Sequence, residues 1–275
     1  MSPYRGSAPF TEDWKHFRLE RTGAIATLTF DRPDKLNALT FDTYADLRDL
    51  LTELPHRGDT RVLVLRGEGR GFCSGGDVDE IIGATLAMQP DQLLAFTRMT
   101  GDVVKAMREC AVPIVAAVHG TAAGAGSVIA LAADFRVVAR SARFAFLFTK
   151  VGLAGADMGA AYLLPRLVGL GRATALLMLG EPLSAADAER YGLVSELVDD
   201  EALDQATHAL AHRLADGPTQ AYAQTKALLS RELDMSLSGA LELEAMTQAL
   251  LMNGADYREF HAAFTEKRSP RWQGR

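Results

Sequence analysis

Two cysteines, Cys73 and Cys110, are all the sequence holds. That is too few for a disulfide framework, and the pair lacks the spacing of a zinc or iron–sulfur site. A reducing compartment fits this usage, and the predicted location is cytoplasmic. Basic charge is in deficit as well, with 29 Lys and Arg against 35 Asp and Glu and a net charge of −6. Recognition of nucleic acid or an anionic membrane through bulk electrostatics is therefore excluded, although a local basic site for a phosphorylated ligand is not. No stretch reaches the roughly 18 apolar residues of a membrane span. The most apolar one, residues 111–133, is broken by Pro113, His119 and several glycines and reads as core. The opening MSPYRGSAPFTEDWKHF lacks the apolar centre of a signal peptide, so none is expected. There is no GxSxG elbow and no HExxH helix, which removes serine hydrolases and zinc proteases.

What is present is a β/α first half and a helical second half. Residues 24–30 (AIATLTF) and 61–67 (RVLVLRG) are rich in β-branched residues and read as strands. Between them, residues 41–54 place Phe41, Tyr44, Leu47, Leu50, Leu51 and Leu54 on one helical face. Residues 113–120 form a nearly continuous apolar strand of the kind covered on both faces. Residues 133–140 and 142–148 predict two more strands, the second with Phe144, Phe146 and Phe148 alternating onto one face. From about residue 156 onward, Ala- and Leu-rich helical segments run to the C-terminus. The order predicts an α/β core over residues 1–200 and a helical region over 201–275.

Two stretches have the composition of ligand-approaching turns. GRGFCSGGDVDE (69–80) carries glycines at 69, 71, 75 and 76 that let backbone come close to a ligand. Its free N–H groups can hold an oxyanion or a phosphate; equally, it reads as an ordinary strand-to-helix turn with Asp77 capping the helix. HGTAAGAGSVIALAAD (119–134) is a strand, a Gly/Ala turn and a helix. Ser127 stands where a phosphate loop needs Lys, and Ile129 where a dinucleotide fingerprint needs Gly, so both nucleotide readings fail. What survives is a helix N-terminus able to stabilise negative charge. Two such turns together match the requirement of an oxyanion hole, a pair of N–H groups from separate loops.

RPDKLNALT (32–40), GFCSGGDVDE (71–80), VPIVAAVHGTAAGAGSVIALAADFRV (112–137) and FHAAFTEKRSPRWQG (260–274) occur in an order that resembles the enoyl-CoA hydratase/isomerase, or crotonase, superfamily. The resemblance implies a spiral of ββα units with a helical C-terminal trimerisation region, assembled as a homotrimer or homohexamer. It implies an acyl-CoA thioester as substrate, with no cofactor beyond the coenzyme A that the substrate carries, no metal, no nucleic acid and no membrane. Carried over by position, Ser74 and Ala125 supply the oxyanion-hole N–H groups. Lys35, Leu36, Ala38, Cys73, Gly75, Asp77, Val78 and Gly124 border the CoA ester, and Phe264 and Lys267 close over it, from the same or a neighbouring subunit.

The sequence departs from the family at the two glutamates by which hydratases activate water. Those positions are Val128 and Phe148, which the resemblance leaves as lining residues. The carboxylate in this region is Asp157, in GLAGADMGAAYLLPR. Dienoyl-CoA isomerases and ring-opening isomerases of phenylacetate breakdown carry Asp in a similar GLxxD context, one residue shorter than here. Asp157 is thus a candidate acid/base for moving a double bond; read from the residues alone, it is equally an N-cap of the helix that follows. A hydratase using another acid, such as Glu80, and a non-catalytic acyl-CoA-binding trimer stay open beside the isomerase. Met158 and Tyr162 are candidates for the acyl pocket, with helical packing as the alternative. Asp79 and Glu181 are expected on solvated faces, as are His208 and His212, and His119 and Asp134 in structural hydrogen bonds.

Overall fold

The computed structural model describes residues 10–274. Its main sheet runs in the order β1 (Phe17–Thr22), β2 (Ile25–Phe30), β3 (Val62–Gly67), β4 (Ile114–Val118), β6 (Phe135–Ala139) and β9 (Glu196–Val198). Only β1–β2 is antiparallel, closed by a tight turn at Gly23; the remaining neighbours are parallel. A smaller sheet pairs β5 (Thr121–Ala123) with β7 (Arg143–Ala145), and β7 with β8 (Leu183–Ser184).

The apolar strands are continuous because both faces of the sheet are covered. Leu63, Leu65, Ile114, Ala116 and Val118 face α1 (Phe41–Arg57) and belong to the larger core. Val62, Val64, Val115, Ala117, Val137 and Ala139 point the other way, onto Leu203, Leu210, Ala211 and Leu214 of a helix over Leu203–Ala215. The period of two sorts alternate residues to opposite cores. Helix α1 starts at a Thr40/Thr43 capping box, ends at Gly58 in the left-handed region, and buries Tyr44, Leu47, Leu50, Leu51 and Leu54. Each such side chain contributes about 1.5–3 kcal/mol of burial. The turn Val78–Ile82 and α2 (Gly83–Thr85) lead to α3 (Pro90–Glu109), which packs on α1. Then come α4 (Ala125–Ala132), α5 (Ala160–Val168), α6 (Leu170–Leu179) and α7 (Ala185–Arg190). The last four are α8 (Leu203–Ala215), α9 (Thr219–Arg231), α10 (Leu237–Met252) and α11 (Ala255–Glu266).

The predicted strands and α1 are found with small shifts at their ends, and three features differ. The strand expected over 142–148 stops at Ala145, and Leu147–Val151 form a 3-10 turn. Phe144, Phe146 and Phe148 are all buried, but they do not share one strand face. Helix α8 packs on the sheet, and Tyr222 of α9 adjoins the same core. Strand β1 and helix α3 were not anticipated.

β5 and the loop 71–76 run side by side at a separation that excludes side chains. A Cβ on Gly126 would lie 2.1 Å from the Cys73 carbonyl oxygen, and one on Gly120 2.1 Å from that of Arg70. Gly126→Ala is therefore expected to lower unfolding stability by about 3 kcal/mol, the upper part of the range for overpacking. Gly83→Ala, with nothing within 4 Å and a right-handed helical φ, is expected to be neutral or stabilising by about 0.5 kcal/mol. Urea denaturation of both variants checks the contrast.

Candidate active site

The two glycine turns are laced together by backbone. Phe72 N–H donates to His119 O at 3.0 Å, Cys73 N–H to Thr121 O at 3.1 Å, and Ala123 N–H to Cys73 O at 2.9 Å. Gly75, at φ +99°, faces the start of α4. A Cβ there would sit 2.9 Å from Ala123 O and 3.3 Å from the Ala125 nitrogen. A side chain at position 75 would cover the Ala125 N–H.

Which donors remain unpaired decides what the turns can bind. Gly124 N–H is spent on Ala145 O at 2.8 Å, and the first intrahelical bond of α4 is made by Val128 N–H. The Ala125 N–H therefore emerges at the helix N-terminus with no acceptor among the described residues, beside the positive end of the helix dipole. The expected second donor needs correction. Ser74 N–H donates to Leu36 O at 2.9 Å, and its hydroxyl reaches Lys35 O at 3.3 Å. Gly75 N–H is directed at the Cys73 thiol. The half-buried Gly76 N–H has no acceptor among the described residues, although its neighbours are tied down by Leu39 N–H to Gly75 O and Asp77 N–H to Leu39 O, both 2.8–2.9 Å. Gly76 and Ala125 thus place one open donor on each of the two turns.

Two residues that sequence reasoning missed hold this loop. Asn37, buried and at φ +58°, donates through Nδ2 to Glu68 O at 2.9 Å and Gly71 O at 2.8 Å, and accepts from Arg32 N–H at 3.0 Å. Arg32 donates to Ala38 O at 2.7 Å and lies 3.0 Å from the Asp77 carboxylate. An Asn followed by a hydrophobic turn was a legible signal, since Asn tolerates left-handed backbone and bonds locally.

The residues expected along CoA divide. Lys35 and Val78 are exposed and Leu36 half-buried, so their side chains can meet a ligand. Ala38, Cys73, Gly75 and Asp77 are buried and offer backbone only. Burial pushes the Cys73 thiol up to about 12, leaving it protonated and unreactive. Asp77 caps its turn by accepting from Asp79 and Glu80 N–H. Those bonds, Glu80's first, and the Arg32 guanidinium hold its carboxyl below the ordinary range. Glu80 is tied to Arg32 at 3.1 Å on the surface, Asp79 to Lys35 at 3.2 Å, and Glu181 to Lys150 at 2.8 Å. Phe264 and Lys267 are exposed on α11, Phe264 beside Phe260.

His119 bonds Gly69 O at 2.9 Å, and Asp134 gathers Ile114 N–H, Arg108 and Lys226; both are structural. His208 and His212 are exposed, and no group of three or more His, Cys, Asp or Glu among the described residues is placed to hold a metal. Tyr162 turns outward, its hydroxyl donating to Asp234 at 2.5 Å, whereas Met158 is buried.

Asp157 is not the N-cap of α5. That helix begins at Ala160 with Gly159 as its cap residue, and the Asp157 side chain accepts only from Met158 N–H, at 2.9 Å. Met158 and Gly159 both adopt positive φ, +50° and +85°, an uncommon conformation for a Met. One carboxylate oxygen is thereby fixed and the other left without a protein donor. Desolvation raises the Asp157 pKa, and the single Met158 N–H only partly offsets it. Val128 and Phe148 are buried and apolar, so no acid stands at either position. The arrangement combines two open backbone donors with one half-buried, incompletely solvated carboxylate.

Comparisons with known proteins agree with this geometry. The sequence profile of the enoyl-CoA hydratase/isomerase family matches residues 20–275. The 1,2-epoxyphenylacetyl-CoA isomerase of Escherichia coli K12 is 37% identical over 251 residues, covering 91% of this chain and 95% of that protein. The (E)-benzylidenesuccinyl-CoA hydratase of Thauera aromatica is 32% identical, covering 93% and 98%. A Streptomyces coelicolor A3(2) crystal structure solved under an enoyl-CoA hydratase name superposes with a TM-score of 0.98 at 68% identity, over 100% of both chains. Relatives bearing isomerase and hydratase names thus match the chain over most of its length, and the chain belongs to the enoyl-CoA hydratase/isomerase family.

Proposed function

We propose that the protein shifts a double bond in an unsaturated acyl-CoA, with Asp157 as the one acid/base. The observation that carries this reading is the replacement of both water-activating positions by buried Val128 and Phe148, beside a carboxylate whose second oxygen has no protein donor. Hydration needs groups that orient and deprotonate water. A 1,3-proton shift needs only one base that takes a proton from one carbon and returns it to another.

In this reaction the thioester oxygen accepts from the Gly76 and Ala125 N–H groups. Asp157 removes a proton from a carbon made acidic by the thioester or by its conjugated double bond. The C–H electron pair moves into the chain and the thioester oxygen becomes an enolate, stabilised by the two donors. The proton on Asp157, which exchanges with solvent during the life of the enolate, is delivered to the other end of the allylic system, and the enolate collapses to the thioester. No atom is lost or gained. A raised pKa suits this cycle, because the carboxylate is a stronger base than in water and its acid form is a usable donor.

The CoA portion is assigned to the surface of Lys35, Leu36 and Val78, and to backbone at Ala38, Cys73, Gly75, Asp77 and Gly124. Phe264 and Lys267 of a neighbouring subunit are assigned to close over it. Exposed Leu237, Leu241, Leu250 and Phe264 on α10 and α11 give this assembly an apolar surface to bury. On this reading, light scattering gives about three times, or six times, the 29.7 kDa chain mass.

Incubation with saturated and unsaturated acyl-CoAs in deuterated water tests the chemistry. The expected result is deuterium uptake that falls by about 10²–10⁴-fold in Asp157→Asn, the usual worth of a general acid/base. Equal uptake in both proteins removes Asp157 from the reaction. Hydration of crotonyl-CoA that survives Asp157→Asn favours a hydratase using another acid.

The pKa shift also fixes a sign for stability. A carboxyl whose folded pKa lies above its ordinary 3.8 binds more protons folded than unfolded, so its contribution to stability falls as pH rises through that window. At neutral pH the folded protein holds a desolvated charge. Asp157→Asn, which keeps the acceptor for Met158 N–H, is therefore expected to raise Tm at pH 7, with the gain shrinking toward pH 4. The deuterium-exchange rate of the wild type is expected to fall as pH drops through the same raised pKa.

A further inference from the structure

Tyr44 sits on the inner face of α1, 3% exposed, with its ring edge-on to Phe96 at 6.1 Å. Buried tyrosines ordinarily find a partner for their hydroxyl. This one has none among the described residues, and its oxygen is not sealed off, since it is absent from the buried polar atoms that lack partners. The open position lies at the candidate site. A Cβ built on Gly76, whose N–H is one of the two open donors, would be 3.6 Å from the Tyr44 oxygen. Any side chain at position 76 would crowd that hydroxyl. The charges of Cys73 and Asp157 also act on it, and burial, the larger effect, raises its pKa. It is an O–H donor throughout the working range of pH.

A desolvated hydroxyl without a partner costs stability unless a ligand completes it. We propose that Tyr44 is a specificity-determining residue that donates a hydrogen bond to an oxygen carried by the acyl group near its thioester end, so that the preferred substrates are oxygenated acyl-CoAs: hydroxy, epoxy or keto esters. This rests on the acyl-CoA reading of the site. Its location follows from Gly76, which serves the thioester oxygen through its N–H and adjoins Tyr44 through its Cα. An oxygen on a carbon close to the thioester reaches the hydroxyl; one at the far end of a long chain does not. A site with a committed polar group rejects the analogue that lacks the matching oxygen.

The test is binding rather than turnover, in the Asp157→Asn background so that chemistry does not intervene. Calorimetric Kd values are measured for 3-hydroxybutyryl-CoA, 4-hydroxybutyryl-CoA and butyryl-CoA, with and without Tyr44→Phe. The Phe ring keeps the contact with Phe96, and an unchanged or raised Tm verifies folding. The expected result is about tenfold weaker binding of at least one hydroxy ester in Tyr44→Phe, the worth of one hydrogen bond, with butyryl-CoA unchanged or tighter. Equal changes for all three esters, or no change for any, overturn the role of Tyr44 and leave the acyl-CoA site standing. Failure of every ester to bind the Asp157→Asn protein with Tyr44 intact overturns both readings.

Discussion

The contact on which the site depends is the approach of two backbone segments too close for any side chain between them. Residues 70–76 and residues 119–126 exchange three hydrogen bonds, and Gly120 and Gly126 of the second segment lie against the Arg70 and Cys73 carbonyl oxygens of the first. That interlock does more than stabilise. By spending Cys73, Ser74 and Gly124 N–H groups on internal acceptors, it leaves Gly76 and Ala125 as the donors open to a ligand. Donors fixed in this way need no reorganisation when charge develops in front of them, which is the source of their catalytic value. Asn37 and Arg32 extend the restraint to the preceding loop, so the donor turn is braced from both sides.

The carboxylate is placed by a different device. Two consecutive left-handed residues, Met158 and Gly159, turn the chain sharply enough that Asp157 bonds its own neighbour instead of capping α5. A Met at φ +50° costs energy that a Gly would not, and such strain is retained where surrounding structure over-determines it. With one oxygen held and the carboxyl partly desolvated, its pKa is raised above the ordinary carboxylate value. A fully hydrogen-bonded carboxylate, such as Asp77, is locked in the charged form and is useless as a proton carrier at neutral pH. The two aspartates show how backbone donors and burial push a carboxyl's pKa in opposite directions.

Much of this was legible in the sequence. The β-branched strands, the amphipathic α1 and the glycine spacing of the two turns each reflect a local rule, and together they indicated a paired-donor site. What was not legible depended on where individual N–H groups point. Ser74 and Gly76 are two residues apart in one turn, and only the Leu36 carbonyl, brought over from another loop, decides which of them is free. The strand expected through Phe148 ends early because Gly124 N–H and Ser127 Oγ take the Ala145 carbonyl, and the chain then turns into a 3-10 segment. Tyr44 fitted its helix as an ordinary core position; its unpartnered hydroxyl is a property of the packed structure, invisible in a periodicity. Asp157 looked like a cap because caps are read from the next helical residues, and the helix starts two residues later than its sequence suggests.

The reaction class follows from what surrounds a single carboxylate. Water held for attack on a double bond needs at least two polar partners to fix its orientation, and a buried Val128 and Phe148 offer none. In the proposed proton shift, the desolvation that raises the Asp157 pKa makes its carboxylate a stronger base. On the proposed reading, Val128 and Phe148 together with one desolvated Asp157 favour proton transfer over hydration.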